Sequence, residues 1–80
     1  MSTSVTSEAV LTALAPILDG QGVVLHSTPL LSSGLIDSFA MVELQSIIGD
    51  VFGVELELAD LTVDLADTAV MLASLIAGHQ

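Results

Sequence analysis

No cysteine occurs in the 80 residues, which excludes disulfides, zinc–thiolate sites and a cysteine nucleophile. Lysine and arginine are absent as well, against ten Asp and Glu, for a formal net charge of -10. With no base to displace counterions from a phosphate backbone, nucleic acid is excluded as a partner. Electrostatic attachment to anionic lipid fails on the same ground. Long apolar runs are missing too, although 52% of the residues are hydrophobic. The longest, residues 68–78, is about half of the roughly 20 residues that a membrane-spanning helix needs. Residues 20–36 carry no charge but are interrupted by glycines, Pro29 and His26. The opening run MSTSVTSEAV lacks the basic start of a signal or transit peptide. These absences lead us to expect a soluble, cytoplasmic monomer with no membrane partner.

What is present fits one small domain, residues 1–80, whose modest core must be packed efficiently to be stable. An all-acidic surface keeps such an apolar domain soluble, and it also steers encounter with basic surfaces of other proteins. Helical spacing over 7–19 places Val10, Leu11, Leu14, Ile17 and Leu18 together, with Ser7 or Thr6 as cap and Glu8 in the first turn. Pro16 removes one hydrogen bond there and crowds the preceding turn, so a kink or early end is expected. Gly20 and Gly22 open a long connection to residue 37, packed by Leu25, Leu30, Leu31 and Leu35.

A second helix is expected from Ser38 to Phe52, with Gly53 as its C-cap. At 100° per residue, Ala40, Met41, Leu44, Ile47, Ile48, Val51 and Phe52 fall on one arc, and Glu43, Ser46 and Asp50 on the other. Phe39 and Val42 fall with the polar group. VELEL at 54–58 alternates like a strand but has no second strand to pair with, so it reads as an extended linker. A short helical turn is expected around 60–63. A last helix at 67–77 would present Thr68, Leu72, Leu75 and Ile76 on one face, with Asp67 or Asp64 as cap. The fold class is all-α: a small bundle of three main helices plus one short helix, with the long loop between helices 1 and 2.

The residues offer little for catalysis. Ser38 lies in GLIDSF, not in the G-x-S-x-G pattern of a nucleophile elbow. The only histidines are His26, read as a surface or packing residue, and His79 near the end. Glu55 and Glu57 with Asp50 or Asp60 have no EF-hand spacing and read as a solvated acidic face, so no metal site is expected. Ser38 is better placed to carry a group than to attack one. A helix N-terminus favours a phosphate esterified there, and if Asp37 is the cap the Ser38 hydroxyl stays free. The same IDS run before an apolar helix also reads as a cap and nothing more.

The segment LLSSGLIDSFAMVELQSIIGDVFGVEL resembles the acyl carrier protein family. The shared pattern is L-x-x-x-G-x-x-D-S-[LMF]-x-x-V-E-L, then an apolar helix, F-G and an alternating linker. DLTVDLADTAVMLASLI continues the likeness, so nearly the whole chain is covered. The resemblance implies a bundle of three main helices plus a short one, with no catalysis by the protein itself. It implies that a phosphopantetheinyl transferase modifies Ser38 with a 4'-phosphopantetheine arm from coenzyme A. The arm's thiol would then hold an acyl or aminoacyl cargo as a thioester, which explains how a chain without cysteine takes part in thiol chemistry. Partners implied are that transferase, an adenylating ligase or acyltransferase that loads the arm, and a downstream acceptor enzyme. The partner face would comprise Asp37, Phe39, Val42, Glu43, Ser46 and Asp50, with Phe39 and Val42 as apolar anchors. Ala40, Ser46 and Gly49 stand where fatty-acid-synthesis carriers often have acids or larger side chains. GLIDSF is similar to discrete carriers of polyketide or nonribosomal peptide pathways and to D-alanyl carriers. Leu44, Ile48 and Leu65 would line any cargo space between helices. The alternative from a different class is an acidic helical adaptor with no prosthetic group.

Overall fold

Thr6 starts the first helix: its hydroxyl accepts the N–H of Ala9 at 3.0 Å, and Glu8 sits in the first turn near the positive end of the dipole. The computed structural model describes residues 5–80. The helix, α1 (Ser7–Ala13), stops sooner than periodicity implies. Leu14 leaves the helical backbone conformation (φ -86°, ψ 1°) although its N–H still reaches the Val10 carbonyl at 2.9 Å, and a second short piece, α2 (Ala15–Leu18), begins beyond it. Pro16 is the cause, yet the break comes two residues ahead of it. As the second residue of a new helix its missing N–H leaves no hydrogen bond unmade, and its fixed φ suits that position. Leu14, Leu18 and Val10 still share the buried side, so the interrupted segment presents one apolar face.

The principal helix, α3 (Ser38–Phe52), has the expected bounds. Asp37 caps it through Oδ1, which accepts the Ala40 N–H at 2.9 Å. Gly53 ends it in the left-handed region at φ 67°, where a Cβ would be strained. Leu44, Ile48 and Phe52 are buried, and Ala40, Met41 and Ile47 partly so. Val51, expected in the core, is exposed instead. It lies at the edge of the apolar arc beside a shallow groove whose other wall is Thr6, Glu8, Ala9, Thr12 and Ala13 of the α1 segment. The groove is open to solvent, so Val51 is left uncovered.

Residues 54–57 are extended but form no strand. Val54 and Leu56 point inward, Glu55 and Glu57 outward, and Gln45 Nε2 donates to the Leu56 carbonyl at 2.7 Å. The single turn expected at 60–63 is two turns, displaced to either side of the buried Leu61: a 3₁₀ turn (Leu58–Asp60) and α4 (Val63–Ala66). The last helix, α5 (Ala69–His79), buries Ala69, Leu72, Ala73 and Ile76. Its cap is Thr68, whose hydroxyl accepts the Met71 N–H at 3.1 Å, and not Asp67 or Asp64. Leu75 is partly buried beside the core.

The described residues are therefore all-α, and the helices pack around one core with no buried polar or charged residue in it. The long 19–37 connection contributes to that core through Leu30 and Ile36, with Leu31 and Leu35 packed against it. Leu25 does not join them and is 58% exposed, since its backbone N–H is taken by Thr28 Oγ1 in a tight turn that leaves the side chain outside. No helix among the described residues is long and apolar enough to cross a membrane.

Candidate functional site

Two anchored residues, Leu30 and Ile36, define the approach to Ser38. Both are buried, and the Ile36 N–H donates to the Leu30 carbonyl at 3.0 Å, closing a loop over 30–36. Inside it the Gly34 N–H donates to Leu31 at 3.2 Å, and the Ser33 hydroxyl donates to the Pro29 carbonyl at 2.6 Å. Gly34 adopts φ +82°, a left-handed conformation that explains a glycine at this point of the sequence. Asp37 follows directly and caps α3, and Ser38 is the first helical residue.

Ser38 is exposed, and its hydroxyl has no hydrogen-bond partner among the described residues. Asp37 has taken the capping role, so the serine side chain is released from it. The cap satisfies the Ala40 N–H and leaves those of Ser38 and Phe39 open at the positive end of α3. A serine presented in this way can bear a phosphodiester whose anionic oxygens meet helix N–H groups. Neither histidine is placed by its hydrogen bonds to act on it. The His26 ring hydrogen-bonds the Ser7 hydroxyl at the start of α1, and His79 Nδ1 donates to the Leu75 carbonyl with Nε2 3.7 Å from Asp60. Neither histidine is hydrogen-bonded to Ser38.

The expected partner residues form one stripe. Phe39, the adjacent pair Val42 and Glu43, then Ser46 and Asp50 recur at helical three- and four-residue spacing, and all are exposed on α3. Phe39 is 87% exposed and Val42 58%, so two large apolar side chains stand in solvent next to the serine. Val42, Ser46 and Asp50 also border a shallow groove that continues onto Val54, Glu55 and Leu56. The proposed cargo-lining residues do not meet. Leu44 and Ile48 are sealed in the core, whereas Leu65 is exposed over a separate depression with Asp64, Met71, Ser74 and Leu75. Periodicity put Leu44 and Ile48 on the inner face correctly, but here that face is filled by neighbouring side chains. Among the described residues no three His, Asp or Glu side chains converge as metal ligands.

One residue of the site was given the wrong role by its sequence position. Asp67, between α4 and α5, reaches back across the molecule. Its Oδ1 accepts the N–H of Leu31 at 2.9 Å and of Ser32 at 2.8 Å, and its Oδ2 accepts the Ser32 hydroxyl at 2.8 Å. Its carbonyl also accepts the Leu30 N–H at 2.6 Å. The Ser32 N–H, foremost, and then the Ser32 hydroxyl hold the Asp67 carboxyl below the usual carboxylate value, against partial desolvation. The available signal was the pair Asp67-Thr68 ahead of a helix: threonine is enough to cap, so the aspartate is spare.

In comparisons with known proteins the chain matches no family model, no curated protein and no solved structure.

Proposed function

We infer that this protein is a discrete acyl or aminoacyl carrier protein whose Ser38 bears a 4'-phosphopantetheine arm. The observation that carries the reading is the division of labour at the start of α3: Asp37 caps, and the Ser38 hydroxyl is exposed and unbonded beside two open N–H groups. The residues present fit the group, since a phosphodiester on Ser38 would lie where the helix end favours negative charge. When attached, the arm supplies a thiol on which cargo is held as a thioester. The chain's own part is to present Ser38 and to be recognised. It catalyses nothing.

Recognition falls to the exposed stripe of α3. Phe39 and Val42 offer apolar anchors, while Asp37, Glu43 and Asp50 offer acids to basic surfaces on a phosphopantetheinyl transferase, an adenylating ligase or acyltransferase, and an acceptor enzyme. The apolar share of that stripe supports a dedicated partner set, as in polyketide or nonribosomal peptide assembly, over D-alanyl or fatty-acid-synthesis roles. A buried, well-filled core around Leu44 and Ile48 supports cargo carried outside the bundle.

Intact mass after incubation with coenzyme A and a broad-specificity phosphopantetheinyl transferase tests the assignment. The expected result is a gain of one arm in the wild type and none in Ser38→Ala, with helicity unchanged. The exposure of Phe39 and Val42 also suits an acidic adaptor with no prosthetic group. That reading prevails if the wild type gains no mass while a control carrier is modified.

A further inference from the structure

Ser38 is joined to the far end of the chain by a short relay. Asp67 fixes Leu30, Leu31 and Ser32 through four hydrogen bonds, three to its carboxylate and one to its carbonyl. Leu30 in turn accepts the Ile36 N–H, and Ile36 is followed at once by the cap Asp37 and by Ser38. The carboxylate bonds span 35 and 36 residues of sequence, so no local rule of turn formation supplies them. Every oxygen is matched to a donor, and the Leu30 and Ile36 side chains are anchored in the core on either side. The loop before Ser38 is thereby tied down by a residue whose hydrogen bonds go to Leu30, Leu31 and Ser32 and not to Ser38 itself.

We propose that Asp67 is a positioning residue for modification of Ser38: it keeps the 30–36 turn preformed, so that Asp37, Ser38 and Phe39 meet the transferase as one fixed surface. The proposal rests on the carrier reading above. A transferase must engage the hydroxyl and the start of α3 together. When the clamp is open, only a fraction of molecules holds the competent arrangement, and the apparent affinity falls by that fraction while the chemical step in the bound complex is unchanged. The signature is therefore a raised KM for the apo protein with kcat preserved. A mere loss of stability leaves both constants unaltered as long as the protein is folded at the assay temperature.

The test is steady-state loading from coenzyme A, read by intact mass, on the full chain and three variants whose helicity is checked at the assay temperature. Asp67→Ala is expected to raise KM about tenfold with kcat within about twofold. Asp67→Asn keeps an oxygen for the two N–H groups and can donate to Ser32 Oγ, so its KM should rise by only about two- to threefold. Ser32→Ala, which loses only the bond to Oδ2, should fall near Asp67→Asn. Faster amide exchange at Leu31, Ser32 and Ile36 in Asp67→Ala should accompany the rise in KM. Wild-type KM in a folded Asp67→Ala overturns the proposal. If that variant does not fold, wild-type exchange and KM in both Asp67→Asn and Ser32→Ala overturn it. A wild type that takes up no arm overturns the carrier reading and this proposal with it. Fast exchange at Leu31 and Ser32 in a wild type that loads normally overturns the clamp alone.

Discussion

Asp37 and Asp67 are both aspartates that accept backbone N–H groups, yet only one acts on its own helix. Asp37 serves Ala40 three residues on, and Asp67 serves Leu31 and Ser32. The difference shows in acid. Because hydrogen bonds depress the Asp67 carboxyl in the folded state, its contribution to stability is fully present above the ordinary aspartate value of about 3.9. It is lost as pH falls through the lower folded value, where protonation removes an acceptor from the clamp. We expect amide exchange at Leu31 and Ser32 to be slow and pH-corrected rates to be flat from neutrality to about pH 4, then to rise steeply. In Asp67→Asn this acid step should be missing. A titration followed by two-dimensional NMR measures both.

At the scale of elements, two glycines distinguish backbone strain from helix propensity. Gly34 sits at φ +82° with nothing within 4 Å of the position a Cβ would take, so Gly34→Ala meets only a conformational cost, about 1 kcal/mol. Gly49 lies inside α3, where its nearest neighbour would be the Val54 carbonyl oxygen at an ordinary 3.9 Å. Gly49→Ala should therefore stabilise by up to about 1 kcal/mol through helix propensity. Urea denaturation of the two variants should move in opposite directions. The same distinction explains what the sequence disclosed. Both ends of α3 carry local signals, an aspartate before the serine and a glycine after the phenylalanine, and its bounds were legible to the residue. The break at Leu14 was harder, because Pro16 tolerates either a kinked helix or a fresh start, and burial of Leu14 and Leu18 together decides between them. Val51 and Leu65 follow the helical period, but their burial depends on what the next element places opposite them. Asp67 was the least accessible: its partners belong to a loop more than thirty residues away, and no periodicity connects the two.

For the whole molecule the governing fact is charge of a single sign. Ten carboxylates face no lysine or arginine, and the two histidines hydrogen-bond a serine hydroxyl and a backbone carbonyl. Such a chain repels itself when folded, so added salt should raise its melting temperature by screening, most of the gain coming below about 0.2 M where the Debye length shrinks fastest. Association with a basic partner should respond the opposite way, slowing as salt rises, because steering is screened while apolar contacts are not. Thermal melts and stopped-flow binding over the same salt series separate the two. A melting temperature that falls with salt would show that repulsion is not what limits this fold.

The chain has only two phenyl rings, and the fold sends them to opposite environments. Phe52 is 7% exposed and Phe39 is 87% exposed. With no tryptophan or tyrosine the protein is almost dark at 280 nm, so ultraviolet absorbance and intrinsic fluorescence from any mixture belong to its partner. Biosynthetic fluorophenylalanine restores visibility with two resonances of separate meaning. One reports the interior and moves on unfolding. The other faces water beside Ser38 and moves when a second protein closes over it.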